Sequence, residues 1–165
     1  MGNKQIQNII EQRCCFNLQF RKDTRYERTN SPTYYRWKAQ FIVAAPREKT
    51  VILKRIRRFI GCGKIYLIGR QIHLSVQKID DIFRIVVPFF KKNKISGQKK
   101  REFEIWQKAI SMLYHNKGMP LSKWPKSDTL QLIEIYKSSA KYKNKKKPLK
   151  WLEMAKFMAT DKKHP

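Results

Sequence analysis

Residues 59–82 read FIGCGKIYLIGRQIHLSVQKIDDI, and their punctuation decides the fold. Gly61 and Gly63 stop an amphipathic helix, because glycine reaches the left-handed backbone that ends helices at little steric cost. Two β-prone runs follow, Lys64 to Ile68 and Gln71 to Lys78, placed about Gly69-Arg70 as a short hairpin requires. A further helix opens at about Asp80, and Pro88 is expected to end it, since proline lacks the amide proton that helix continuation needs. Helix end, hairpin and helix start thus fall within one short stretch.

Upstream of this stretch, residues 47–60 place Val51, Ile52, Ile56, Phe59 and Ile60 on one helical face. Lys54, Arg55, Arg57 and Arg58 lie largely off it. Before them, Tyr35, Trp37, Ala39, Phe41 and Val43 alternate with Arg36, Lys38 and Gln40 in a strand that ends before Pro46. A charged connection, DTRYERTNSPT, precedes that strand and carries a turn signal at Asn30-Ser31-Pro32. Earlier still, period two holds from Phe16 to Arg21, and residues 4–14 form a short helix with Ile6, Ile9, Ile10 and Arg13 at three- and four-residue spacing.

Downstream, the basic stretch KKNKISGQKK leads to a long amphipathic helix at residues 100–115, bearing Phe103, Ile105, Trp106, Ile110, Met112 and Leu113. The predicted order is α-β-β-α-β-β-α-α, an α+β core over residues 1–117. Residues 118–165 read as a basic helical extension that packs on the core or on a partner. It holds a Pro-bearing linker, a helix at 127–142 capped by Ser127 or Asp128, the run KYKNKKKPLK and a last short helix at 149–158.

The chain has 165 residues and 38 Lys+Arg against 12 Asp+Glu, a formal charge of +26. That excess calls for a polyanionic partner, nucleic acid first. A membrane is not expected as partner, because no apolar run approaches the ~20 residues a span needs. No cleavable signal peptide is expected either. Cys14, Cys15 and Cys62 are odd in number and read as reduced, buried thiols. His73, His115 and His164 are too dispersed to hold zinc. The abundance of Lys, Ile, Asn and Tyr suits an AT-rich genome such as an organelle's.

Residues 6–16, IQNIIEQRCCF, together with the 59–82 stretch and Val87-Pro88-Phe89-Phe90, resemble the LAGLIDADG homing endonucleases over about residues 6–113. The resemblance implies a four-stranded antiparallel saddle sheet with helices on one face. It also implies a first helix that meets its counterpart from a second half through small residues and ends in metal-binding carboxylates. Here Asn8 and Gln12 stand where that motif has small residues. Glu11 matches the first acid, Arg13 the second, and Cys14 a glycine. A guanidinium has no lone pair for Mg²⁺ and repels it, so the resemblance implies lost cleavage, with Glu11 and Arg13 as degenerate catalytic positions. No metal or other cofactor is expected, the chain is expected not to be an enzyme, and bulky Asn8 and Gln12 disfavour a homodimer.

Nucleic acid is expected on the outward strand face, at Asn17, Gln19, Arg21, Arg36, Lys38, Gln40, Lys64, Tyr66, Arg70, His73 and Gln77, with Ser75 beside them. These side chains suit base edges and phosphates. Phosphate contacts are expected from Lys91, Lys92, Lys94, Lys99 and Lys100, and from Lys143, Lys145, Lys146 and Lys147 of the basic tail. Tyr34, Tyr66 and Trp124 are candidates for base stacking, whereas Tyr35 and Trp37 are expected in the core. The functional expectation is a nuclease-dead, RNA-binding protein, a structural rRNA-binding component of a mitochondrial ribosome with neighbouring ribosomal proteins; a plastid is the alternative setting. The alternative functions are a group I intron maturase-like splicing factor bound to intron RNA, and a homing endonuclease with an atypical site acting on duplex DNA.

Overall fold

A computed structural model describes residues 2–23, 29–30, 34–142 and 152–160. Helix α1 (Asn3–Arg13) runs directly into strand β1 (Cys14–Asp23), which pairs with β2 (Tyr34–Pro46). A 3₁₀ turn (Arg47–Lys49) opens α2 (Thr50–Ile60), and the hairpin β3 (Lys64–Ile68) and β4 (Gln71–Val76) follows. The four strands form one antiparallel sheet in the order β1-β2-β4-β3. This is the expected α+β arrangement, with helices on one sheet face.

Alternation in the strands sorts the two faces. Phe16, Leu18, Phe20, Trp37, Ala39, Phe41, Val43, Ile72, Leu74 and Val76 are buried against the helices. Phe16 sits at the centre of an aromatic cluster, with ring centroids 5.2 Å from Phe90, 5.4 Å from Phe103 and 5.1 Å from Trp106. One ring therefore ties the first strand to two later helices, and edge and tilted contacts of this kind add to the area it buries.

Two glycines of the 59–82 stretch act as read. Gly61 adopts φ +98° and its N–H donates to the Arg57 carbonyl at 2.8 Å, closing α2. At Gly63, φ +102°, a Cβ would lie 2.8 Å from Leu74 Cδ1 and 3.2 Å from the Ser75 carbonyl, so no side chain fits as the chain turns into β3.

Three expectations are corrected. Pro88 does not end its helix: α3 (Ile79–Asp81), a π-helical stretch (Ile82–Val86) and α4 (Val87–Lys92) run on without a break. The Val87 N–H donates to the Ile82 carbonyl, so the widened turn arrives just before the proline and admits its ring into the helix. Val51 does not face the core and is 63% exposed; Leu53, Ile56 and Ile60 form the buried stripe of α2, which begins only after the 3₁₀ turn. Trp124 is buried, its indole N–H donating to the Met119 carbonyl at 3.0 Å, and offers no face for stacking. Tyr35 is half-buried against Phe20 and Trp37 is buried, both as expected.

Helix α5 (Gly97–His115) lies along the edge of β1, where Trp106 Nε1 donates to the Asn17 carbonyl at 3.0 Å. Helix α6 (Lys126–Tyr142) packs on α5 and β1, with Trp37 and Tyr136 rings edge to face at 5.9 Å; α7 (Leu152–Thr160) packs on α6. Among the described residues no helix is long and apolar enough to cross a membrane.

Candidate nucleic-acid interface

The outward sheet face follows from register. Asn17 lies opposite Gln40, Gln19 opposite Lys38 and Arg21 opposite Arg36. Ala44 lies opposite His73, and His73 opposite Tyr66; Ser75 lies opposite both Ile42 and Lys64. Cross-strand partners share a face, so this part of the expected binding set converges on one surface. Arg70 stands exposed at the β3–β4 turn and Gln77 just beyond β4.

The surface is graded. At the β1–β2 hairpin end, two guanidinium side chains face each other across strands, and the Asp23 carboxylate lies 3.7 Å from Arg36 Nε. Among the described residues Arg21 has no such partner, and its Nε is covered without a hydrogen bond. Like charges directly opposite are unfavourable, and an anion bridging them would relieve that cost. In the middle, amides are held in a network: Gln40 Nε2 donates to Ser75 Oγ at 2.8 Å, Gln77 Nε2 donates to the same oxygen at 3.2 Å, and Lys38 Nζ donates to Gln77 Oε1 at 2.6 Å. Ser75 is thereby buried, and its part is to hold the two glutamines rather than to reach outward. His73 is half-buried beside Gln71 at 3.1 Å. Tyr34 and Tyr66, 54% and 44% exposed, are the stacking candidates that keep an open ring.

The end of α1 has a different character. Glu11 Oε1 accepts from both the Ser96 N–H and Ser96 Oγ, each at 2.7 Å, so the carboxylate caps the start of α5. Gln7 Nε2 donates to the Lys94 carbonyl at 3.1 Å. Lys99, expected on a phosphate, instead donates to the Cys14 carbonyl at 2.6 Å and to Glu102 at 3.2 Å. Lys100 lies 4.0 Å from Glu104 on an exposed face of α5. Lys91, Lys92, Lys94 and Arg13 are exposed and have no ion pair among the described residues. Lys143, Lys145, Lys146 and Lys147 lie outside the described residues.

A divalent ion finds no set of ligands at this helix end. The Glu11 carboxylate is engaged with Ser96, and the next matching position is a cation. Among the described residues no group of three His, Cys, Asp or Glu could hold a metal. Burial pushes the Cys14 thiol up to about 12, against the opposing pull of Lys99. Burial, with Asp81 nearby, pushes Cys62 up to about 11. Both stay protonated near neutrality and are poor ligands and nucleophiles.

Sequence reasoning missed Ser96 as the partner of Glu11, because that contact joins residues far apart in the chain and nothing local signals it. It also missed that Arg57, Arg58 and Lys64, which flank Gly-Cys-Gly, converge on one groove. Their charges were visible, their convergence was not.

A family model described as LAGLIDADG endonuclease matches residues 6–110. Among curated proteins, probable intron-encoded endonuclease 3 of Neurospora crassa is 34% identical over 93 residues, which are 55% of this chain and 17% of that protein. Probable intron-encoded endonuclease 2 of the same fungus is 29% identical over 76 residues, or 45% of this chain and 17% of that protein. The chain therefore spans only a minor part of these relatives. Among solved structures, the homing endonuclease I-TnaI superposes with a TM-score of 0.73 at 16% identity, covering 96% of this chain and 98% of that one. The I-SmaMI LAGLIDADG homing endonuclease bound to cleaved DNA gives 0.74 at 16% identity, covering 100% of this chain and 51% of that one.

These matches correct the expectation that the chain is not an enzyme, since the family model and both curated relatives carry the description endonuclease. That expectation judged a phosphodiester-cleaving site from one helix end of one chain. The ribosomal, rRNA-binding reading finds no support in them either; they favour the duplex-DNA alternative.

Proposed function

From a chain that belongs to the LAGLIDADG endonuclease family, we propose the function of a homing-type endonuclease half that lays its outward sheet face on duplex DNA. The observation that carries this reading is the surface on which Asn17, Gln19, Arg21, Arg36, Lys38 and Gln40 fall in direct cross-strand register. Two-stranded ribbons enter the major groove, where amides pair with adenine and guanidinium or ammonium groups with guanine or phosphate. The preset Gln40–Ser75–Gln77 network reduces the ordering that such contacts require.

The chain's own residues bind and orient. The Arg21–Arg36 pair seats a phosphate at the hairpin end, and Lys91, Lys92 and Lys94 add cations beside α1. The outer stripe of α1, formed by Gln5, Asn8 and Gln12, is exposed and polar. A second half docks there, and it supplies the carboxylates that the end of this α1 lacks. A divalent ion held between the halves would polarise the scissile phosphate and its attacking water; no further step is assigned to it. Asn8 and Gln12 favour an unlike half over a second copy, because like amides meeting across a symmetrical interface bury polar groups with few partners. The composition adds an organellar setting, most simply a mitochondrion.

The test selects a duplex from a randomised library with the full chain, then follows that duplex with Mg²⁺ present. Sequence-selective binding is expected, with metal-dependent cutting once both halves are supplied. Equal affinity for every duplex, or preference for structured RNA over all duplexes, overturns the reading.

A further inference from the structure

We infer that a groove between the C-terminal half of α2 and the edge strand β3 carries the phosphate backbone of duplex DNA flanking the target, beyond the rim of the sheet. This rests on the duplex-DNA reading of the sheet face and extends it to a surface on the helix side. The groove has a volume of about 1090 Å³ and is lined by Lys54, Arg57, Arg58, Lys64 and Tyr66, with Asp81 as its one carboxylate.

Three observations point to a phosphate backbone. First, Lys54, Arg57, Arg58 and Lys64 are all exposed and have no hydrogen bond or ion pair among the described residues, whereas Lys99, Lys117, Lys137 and Lys156 are each paired with a nearby carboxylate. Favourable placement at the negative end of α2 explains Arg57 and Arg58, which lie in its last turn. It does not explain Lys54 or Lys64. Second, the groove joins the sheet face without a break. Lys64 and Tyr66 project on the same side as their cross-strand partners Ser75 and His73, and β3 is the last strand of the sheet. One polyanion leaving the sheet over β3 meets Lys64 and Tyr66 first and the α2 cations next.

Third, the chemistry of the two surfaces differs. The sheet face is rich in Asn and Gln, whereas no amide side chain lines the groove. Amides read base edges; cations without amides hold phosphates whatever the sequence. The groove therefore adds affinity and no selectivity.

The experiment compares the full wild-type chain with a Lys54→Gln/Arg57→Gln/Arg58→Gln variant on two duplexes, the selected target alone and the same target with flanking duplex on both sides. Wild type should bind the flanked duplex more tightly than the bare one, and the variant should lose that gain, roughly tenfold at low salt. On the flanked duplex the slope of log K against log [salt] should become shallower by about 2 to 3, as expected for three lost phosphate contacts. Affinity for the bare target should stay within about twofold, which also reports that the variant is folded. Equal binding of both duplexes by wild type, or equal loss on both by the variant, overturns the inference and leaves the sheet-face reading standing. A variant that loses only RNA affinity overturns it as well. Failure of wild type to bind the bare target removes the sheet-face reading, and this inference with it.

Discussion

The outward sheet face and the end of α1 lie within one strand length of each other and are built on opposite terms. On the sheet face, polar side chains come from neighbouring strands in a regular register and are tied mainly to one another, Gln40 and Gln77 to Ser75 and Lys38 to Gln77. At the α1 end, the polar groups are turned inward: Glu11 is bound to Ser96, Gln7 to the Lys94 carbonyl and Lys99 to the Cys14 carbonyl. One surface is a polar, cationic sheet face made by a single chain. The other is a sealed structural joint with a cation, Arg13, at its tip.

The strongest way to break the comparison is at the arginine pair. Reversing both charges with Arg21→Glu and Arg36→Glu should lower duplex affinity by roughly a hundredfold or more, through lost phosphate contacts and new repulsion. Because both Nε atoms are covered and Asp23 lies beside Arg36, a circular dichroism spectrum accompanies the measurement to show that the variant is folded. An affinity unchanged in a shift assay would mean that the sheet face is not the DNA surface.

A smaller effect sharpens the other side. Glu11→Gln weakens two charge-assisted hydrogen bonds to Ser96 and should cost about 1 to 3 kcal/mol in urea unfolding. Arg13→Ala, at an exposed position, should change stability by no more than about 0.5 kcal/mol. If the two variants are equally stable, the view of Glu11 as a structural joint fails.

The smallest effect is a pH dependence at the same joint. Burial raises the folded Cys14 thiol from 9.0 to about 12, so between those values the unfolded chain loses its proton first. The contribution is fully present below about pH 9 and is lost as pH rises towards 12. Cys14→Ala should flatten the fall of stability over the lower part of that window, measured by denaturant midpoints at pH 8.5 and 10.5. An identical fall in both proteins would place its cause elsewhere, with Cys62 the next thiol to change.

Much of the fold was legible because its signals are local. Alternation at residues 16–21 and 35–43 placed each side chain on the correct face, and Gly61 and Gly63 ended α2 where the sequence suggested. Pro88 misled because its helix accommodates it through a π turn, which no local pattern announces. Val51 misled because it lies about 140° around the helix from Ile56, whereas Leu53 lies about 60° from it and takes the buried place. Lys99 and Trp124 were typed by chemistry alone, and each found an internal partner: a backbone carbonyl of β1 for Lys99, and a loop carbonyl for Trp124.

By itself, then, the sequence determined the element order, the inner and outer faces of the strands and the family. The first two depend on periodicity and glycine conformation, which act over a few residues; the family rests on the match of particular residues over 6–110. Tertiary structure alone decided which cations are free and which are spent, that Glu11 caps α5, and that α2 and β3 enclose a common basic groove. The physical reason is that a hydrogen bond or a shared charge field depends on distance in space, and contacts between residues 11 and 96 or 14 and 99 leave no periodic trace in the chain.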